Sequence, residues 1–236
     1  MKFTNLGMSA VCGVAFLCSV TSASATVSGH LDLANCSGGG VTVSATSIDF
    51  LPAGGGAGCI LTGSSTNVSY GAGLTLGSGI LGSIKDLVFN PANPPVPGFM
   101  TFTGTPLNFT LTLLGPGVLN SICSTTLDPN QPSCSVGGNT PFILTPTSTG
   151  TSITLSARGT VSDGTSPASN FLGAFTTQVS NVTPDSIRAT IQNQGSITST
   201  QSGDFSITVV PEPSTISMAA LGGLLVAFAA RKRARA

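Results

Sequence analysis

Leu107-Asn108-Phe109-Thr110-Leu111-Thr112-Leu113 alternates apolar and polar residues without a break. Side chains in an extended strand point to opposite faces in turn, so this run puts one face in a core and the other in water, whereas a helix would scatter the same residues around its axis. Working outward, period-two runs recur at Val41-Thr42-Val43-Ser44-Ala45, Ile153-Thr154-Leu155-Ser156-Ala157, Phe171 to Val179 and Phe205-Ser206-Ile207-Thr208-Val209. Turn chemistry separates them. Asn90 to Pro97 is a proline-rich loop, and Asp163-Gly164 predicts a tight hairpin turn after Val161. Many short strands with such spacing predict an all-β fold, an antiparallel β-sandwich of jelly-roll type. The segments on either side of the Asn90 to Pro97 loop read as two separate sheets. One helix interrupts them near residues 184–194. Thr183 caps it, Pro184 takes its first position, Ile187 and Ile191 share a face and Gly195 ends it.

Both ends of the chain differ from this body. Lys2 is the only charge ahead of the apolar segment Leu6 to Val20, which is followed by Ala23-Ser24-Ala25, an A-x-A cleavage pattern. This predicts a secretory signal peptide over residues 1–25, cut after Ala25 with Ala23 and Ala25 as its recognition residues. Cys12 and Cys18 follow Val11 and Leu17 rather than the small residues of lipoprotein processing, so that route is set aside. Residues 26–209 form the predicted body and 210–236 a tail.

In that tail Val210-Pro211-Glu212-Pro213-Ser214 leads into an uncharged apolar stretch, Thr215 to Ala230, that stops at Arg231-Lys232-Arg233-Ala234-Arg235. The prolines end any upstream element, the apolar run suits a bilayer, and the cations Arg231, Lys232, Arg233 and Arg235 stop transfer. Read as a transmembrane helix, sixteen residues rise about 24 Å against a hydrocarbon core of about 30 Å. Snorkelling of the basic stems covers part of that shortfall. Gly222-Gly223 weakens such a helix by roughly 1 kcal/mol per glycine, which suits a temporary anchor. A buried core helix is the alternative reading, disfavoured by the basic cluster.

The tail resembles the PEP-CTERM family of bacterial sorting signals, in which a Pro-Glu-Pro tripeptide, one hydrophobic span and an Arg-rich end follow in that order. The sorting motif maps to Pro211, Glu212, Pro213 and Ser214. The resemblance implies recognition by an exosortase-type membrane cysteine protease, export, a transient inner-membrane intermediate, and release to the cell surface or beyond, alongside exopolysaccharide. It implies no catalysis by the protein that carries it. The whole chain is also similar to uncharacterised PEP-CTERM surface proteins, through segments such as Ile48-Asp49-Phe50-Leu51-Pro52 and Phe99-Met100-Thr101-Phe102.

The body itself is poor in chemistry. Charged residues make up 7% of the chain, where an average soluble protein has about 25%. Lys85, Arg158 and Arg188 face seven aspartates, three minus seven, so the body carries −4. A weakly acidic domain without a basic patch is a poor nucleic-acid binder. Cys36, Cys59, Cys123 and Cys134 allow three pairings. Outside the cytoplasm the even count favours disulfides, and proximity favours Cys36 with Cys59 and Cys123 with Cys134. Short C-x-x-C spacing, as a thiol metal site requires, is absent.

No enzyme is expected. His30 is the single histidine, close to the new N-terminus, and no G-x-S-x-G elbow accompanies it. The body has no Glu, and its aspartates fall in no motif for glycoside chemistry. Gly77-Ser78-Gly79-Ile80-Leu81-Gly82 satisfies G-x-G-x-x-G, but the prolines from Pro91 leave no room for the required helix. Asp128-Pro129-Asn130 and Asp163-Gly164 place oxygens in turns without the carboxylates of a calcium loop. Cofactors and metals are therefore not expected. The favoured reading is an exported non-enzymatic surface or matrix protein associated with exopolysaccharide. The alternative is a secreted carbohydrate-binding or carbohydrate-active domain, for which the absence of Trp and the single Tyr70 leave few rings to stack on sugars.

Overall fold

The computed structural model describes residues 27–52, 57–71, 73–89, 95–137, 140–165, 167–193, 195–210, 221–225 and 231. The first strands are β1 (Ser28–Asn35), β2 (Gly40–Ser44), β3 (Ser47–Leu51), β4 (Ala57–Thr62), β5 (Asn67–Tyr70), β6 (Leu74–Leu76), β7 (Leu81–Lys85) and β8 (Leu87–Val88). They continue as β9 (Val96–Phe102), β10 (Asn108–Leu114), β11 (Phe142–Thr147), β12 (Gly150–Ser162) and β13 (Ser169–Ser180). Helix α1 (Pro184–Gln192), β14 (Ser196–Ser199) and β15 (Ser202–Thr208) complete the body.

Pairing in the order β1-β4-β7-β9-β10-β12-β13-β15 returns to its start, because β15 also pairs with β1 from Gly29↔Ile207 to Ala34↔Ser202. The body is thus a closed eight-stranded antiparallel barrel, not the expected sandwich. Alternation reports that one face of each strand is buried, and that is equally true of a sandwich and a barrel. Closure depends on a seam between the first and last strands, which no local pattern encodes. The Asn90 to Pro97 loop does not divide two sheets either, since β7 pairs directly with β9 across it.

Inward glycines are the local sign of this curvature. Gly159 stands opposite Phe171, Gly173 opposite Phe205 and Gly82 opposite Phe102 in the strand registers. In each pair the ring lies over the bare backbone: a methyl on Gly159 would meet the Thr110 carbonyl and sit 2.7 Å from the Phe171 ring. One on Gly173 would meet the Asp204 carbonyl and sit 2.5 Å from Phe205. Glycine lets the strand bend and the neighbouring ring fills the space. The rings form a chain through the interior, with centroids 5.8 Å apart for Phe102–Phe109, 5.5 Å for Phe109–Phe171, 5.8 Å for Phe171–Phe205 and 4.9 Å for Phe205–Phe175. Edge-to-face pairs of this kind add about 0.5–1.5 kcal/mol each beyond burial.

The run from Leu107 leads into β10, with Leu107 just before the strand and Phe109 and Leu111 within it buried. Leu113 corrects the expectation. The register slips between Leu111, opposite Gly159, and Leu113, opposite Arg158, so a bulge at Thr112 turns Leu113 outward to 38% exposure.

A second antiparallel sheet, β14-β2-β3-β8, packs on the barrel at the end away from Ser28 and Thr208. Its Val41, Val43 and Ile48 face Ile153 and Leu155 of β12 and Phe175 of β13 across a small apolar cavity. Phe50 of β3 adds its ring to Phe99 and Phe175 at 6.4 and 5.6 Å. The Phe50 N–H donates to Asp86 Oδ1 at 2.8 Å, and partial burial raises the Asp86 pKa above its ordinary value, opposed by that hydrogen bond. Helix α1 starts as its sequence predicts: Thr183 Oγ1 accepts from the Ser186 N–H, Pro184 is its first residue and Ile187 and Ile191 are fully buried; it ends earlier than expected, at Gln192, with Asn193 rather than Gly195 closing it.

Candidate functional site: the C-terminal exit and its surroundings

Strand β15 delivers the tail. Gly203, Phe205 and Ile207 point into the barrel while Asp204 and Ser206 point out, and β13 and β1 hydrogen-bond the strand on both sides up to Thr208 and Ile207. Pairing then stops. Val209 and Val210 are 44% and 37% exposed, so the chain has left the barrel before Pro211. From Thr208 to Pro211 is three residues, about 10 Å at full extension.

The sorting tetrad Pro211, Glu212, Pro213 and Ser214 lies outside the described residues, as do Lys232, Arg233 and Arg235 and the cleavage residues Ala23 and Ala25. Within the apolar run residues 221–225 are helical, and Leu221, Leu224 and Leu225 are 56–65% exposed. Among the described residues, nothing outside its own helix backbone comes within 4 Å of where a methyl on Gly222 or Gly223 would sit. This segment is not a core helix. Nor is the expected transmembrane helix supported: among the described residues no helix is long and apolar enough to cross a membrane. The double glycine in the middle of a sixteen-residue run and its length of about 24 Å are the physical obstacles. Residues 215–220 and 226–230 lie outside the described set.

Both disulfides form between the cysteines that proximity favours. Cys36, just after β1, joins Cys59 of β4 with Cα atoms 5.8 Å apart. Cys123 joins Cys134 across 5.1 Å and holds the long excursion between β10 and β11. Each restricts the unfolded chain by about 2–4 kcal/mol on the loop-closure argument. The second excursion is held further by Asn120 Nδ2 donating to the Ser133 carbonyl and Arg188 Nη1 donating to the Ser121 carbonyl.

The residues with chemical potential are dispersed. His30 sits on the outer wall, its Nε2 3.6 Å from Asp204 Oδ2, and the two side chains are 39% and 77% exposed. Asp128 uses Oδ1 to accept from the Asn130 N–H and Nδ2; those bonds lower its pKa, the backbone bond most of all. Asp163 is buried instead of standing at a tight turn, because the connection from β12 to β13 runs from residue 163 to 168. Its Oδ2 accepts from the Gly71 N–H at 2.7 Å and its Oδ1 from the Thr165 N–H at 3.0 Å, which pins the β5–β6 turn to the barrel end. The sequence carries one signal for that role, an Asp-Gly pair, and its partner 92 residues away is invisible there. Gly77 to Ile80 is the link between β6 and β7, with Thr62 Oγ1 donating to the Gly77 carbonyl, and offers no helix N-terminus. Among the described residues no group of three His, Cys, Asp or Glu could hold a metal.

Comparison with curated proteins returned no match, and neither did comparison with solved structures. Residues 209–234 match the PEP-CTERM protein-sorting motif, so this chain carries at its C-terminal tail a signal that implies export, processing by an exosortase and a destination at the surface or outside the cell.

Proposed function

We propose that the chain is a non-enzymatic surface or matrix protein whose disulfide-stapled barrel is the cargo and whose tail is a detachable address. In this reading the apolar tail holds an inner-membrane intermediate, the exosortase cuts near Pro211-Glu212-Pro213, and the released body joins the exopolysaccharide outside the cell. The observation that carries it is the contrast at residue 209: a strand bonded on both sides up to Thr208, then the half-exposed Val209 and Val210 at the start of a matched sorting motif. Exposed Leu221, Leu224 and Leu225, unsupported by the barrel, support a tail whose apolar surface is meant for lipid.

Ring placement disfavours the carbohydrate-binding alternative. Tyr70 and the rings of Phe50, Phe99, Phe102, Phe109, Phe142, Phe171, Phe175 and Phe205 are buried, and Phe89 packs edge-on against Phe142 at 5.2 Å. Stacking on sugars needs exposed faces. The test is Glu212→Ala in the producing cell: the variant should accumulate full-length in the membrane fraction while the native chain is released. Equal release of both would overturn the sorting role of the tripeptide.

A further inference from the structure

The barrel is closed by its first and last strands, and these are antiparallel neighbours, so the start of β1 and the end of β15 lie side by side at one rim. Strand directions place further segments there. Asn108 at the start of β10 pairs with Ser162 at the end of β12 and with Thr101 near the end of β9, and Gly82 near the start of β7 pairs with Phe102. The turns Gly77 to Ile80 and Thr103 to Leu107, and the Asp163 loop tied to Gly71, therefore share the rim with the tail exit. The opposite end carries the second sheet, α1 and the excursion that displays Leu119 and Ile122 at 104% and 80% exposure. Strand β12 is roughly 40 Å long, which at the usual tilt of about 35–45° for a barrel strand still separates the two ends by about 30 Å.

Tether length then fixes which end meets the membrane. Thr208 is eight residues from Ile216, about 28 Å fully extended, and part of that distance is taken up by a headgroup layer of about 5–7 Å. A body on so short a tether cannot turn its far end to the bilayer. Charge agrees with this assignment without enforcing it. Lys85 ends β7 at the far end, Arg158 lies within the wall and Arg188 is on α1, while the rim turns contain only uncharged residues and the buried Asp163. Near the rim the only basic groups of the body are His30, already 3.6 Å from Asp204, and the α-ammonium that cleavage after Ala25 leaves, so the tether more than electrostatics sets the orientation.

We infer that the rim bearing Gly77 to Ile80 and Thr103 to Leu107 is the face apposed to the lipid surface before release, and that the second sheet, α1 and the Leu119–Ile122 loop point away from the cell. This rests on the anchored intermediate proposed above. The chain contains no Trp, so an introduced indole is a unique reporter. Ser78→Trp and Thr103→Trp place it at two independent rim positions and Leu119→Trp at the far end, all exposed. The exported chain, residues 26–236, is bound to liposomes containing dansyl-headgroup lipid so that Leu6 to Val20 cannot insert instead of the tail, and circular dichroism matching the native exported chain qualifies each variant. Energy transfer to the dansyl groups should be several-fold greater from either rim position than from Leu119→Trp, and the pattern should persist at high salt. Equal or reversed transfer in chains that float with the liposomes would overturn the orientation, as would its loss on adding salt. Failure of the native chain 26–236 to float would instead overturn the anchored intermediate, and the orientation with it.

Discussion

The barrel and the tail are both apolar, yet they treat their apolar residues in opposite ways. Phe171, on β13, touches Phe109 and Phe205 and is 1% exposed, whereas Leu221, Leu224 and Leu225 are more than half exposed. Burial in the body is a property of partners brought from distant strands. In the tail, Leu221, Leu224 and Leu225 lack such partners among the described residues. The difference explains why the tail reads from a short linear motif while the body does not: the body's rings are held in its own interior.

Neighbouring substitutions sharpen that comparison most. Phe171→Ala removes a ring packed between two others and uncovers Gly159, and should destabilise the body by about 3–5 kcal/mol. Leu172→Ala, one residue on and 62% exposed, should change stability by about 0.5 kcal/mol or less. Chemical denaturation of the two variants decides it, and equal effects would break the assignment of barrel faces.

Glycines give a smaller version of the same contrast. Gly159→Ala drives a methyl into the Thr110 carbonyl and the Phe171 ring and should cost about 1–3 kcal/mol. Gly222→Ala meets nothing and should leave the melting temperature of the body unchanged, while favouring helix in the tail by about 1 kcal/mol. Loss of body stability from Gly222→Ala would mean that the tail packs on the barrel after all.

Legibility in the sequence divides along the same line. The start and buried face of α1 were readable because its cap, its first proline and its Ile187–Ile191 stripe are local, but its end was not, since the helix stops at Gln192 with Asn193 as its cap rather than at Gly195. The strand character of Asn108 to Leu111 was readable for the same reason. Leu113 was not, since the bulge at Thr112 depends on where Arg158 falls in the next strand. The barrel was not, since its closing pairs join residues such as Leu31 and Phe205 that no turn or spacing connects. Glycines set among alternating apolar residues, as in Ala157-Arg158-Gly159 and Phe171-Leu172-Gly173, were the local hint of curvature. At the exit, the prolines and the tripeptide were plain, but the extent of pairing up to Thr208, and hence how few residues separate the barrel from the tripeptide, belongs to the fold.

The central claim is that the structured body ends at β15 and that the tail beyond it is removed. Intact-mass analysis of the protein recovered from the cell surface or the medium tests it directly. The account predicts a C-terminus near Pro211 to Ser214, with both disulfides closed and Ile216 to Ala236 gone. Recovery of the mature surface form with Arg231 to Ala236 still attached would contradict it.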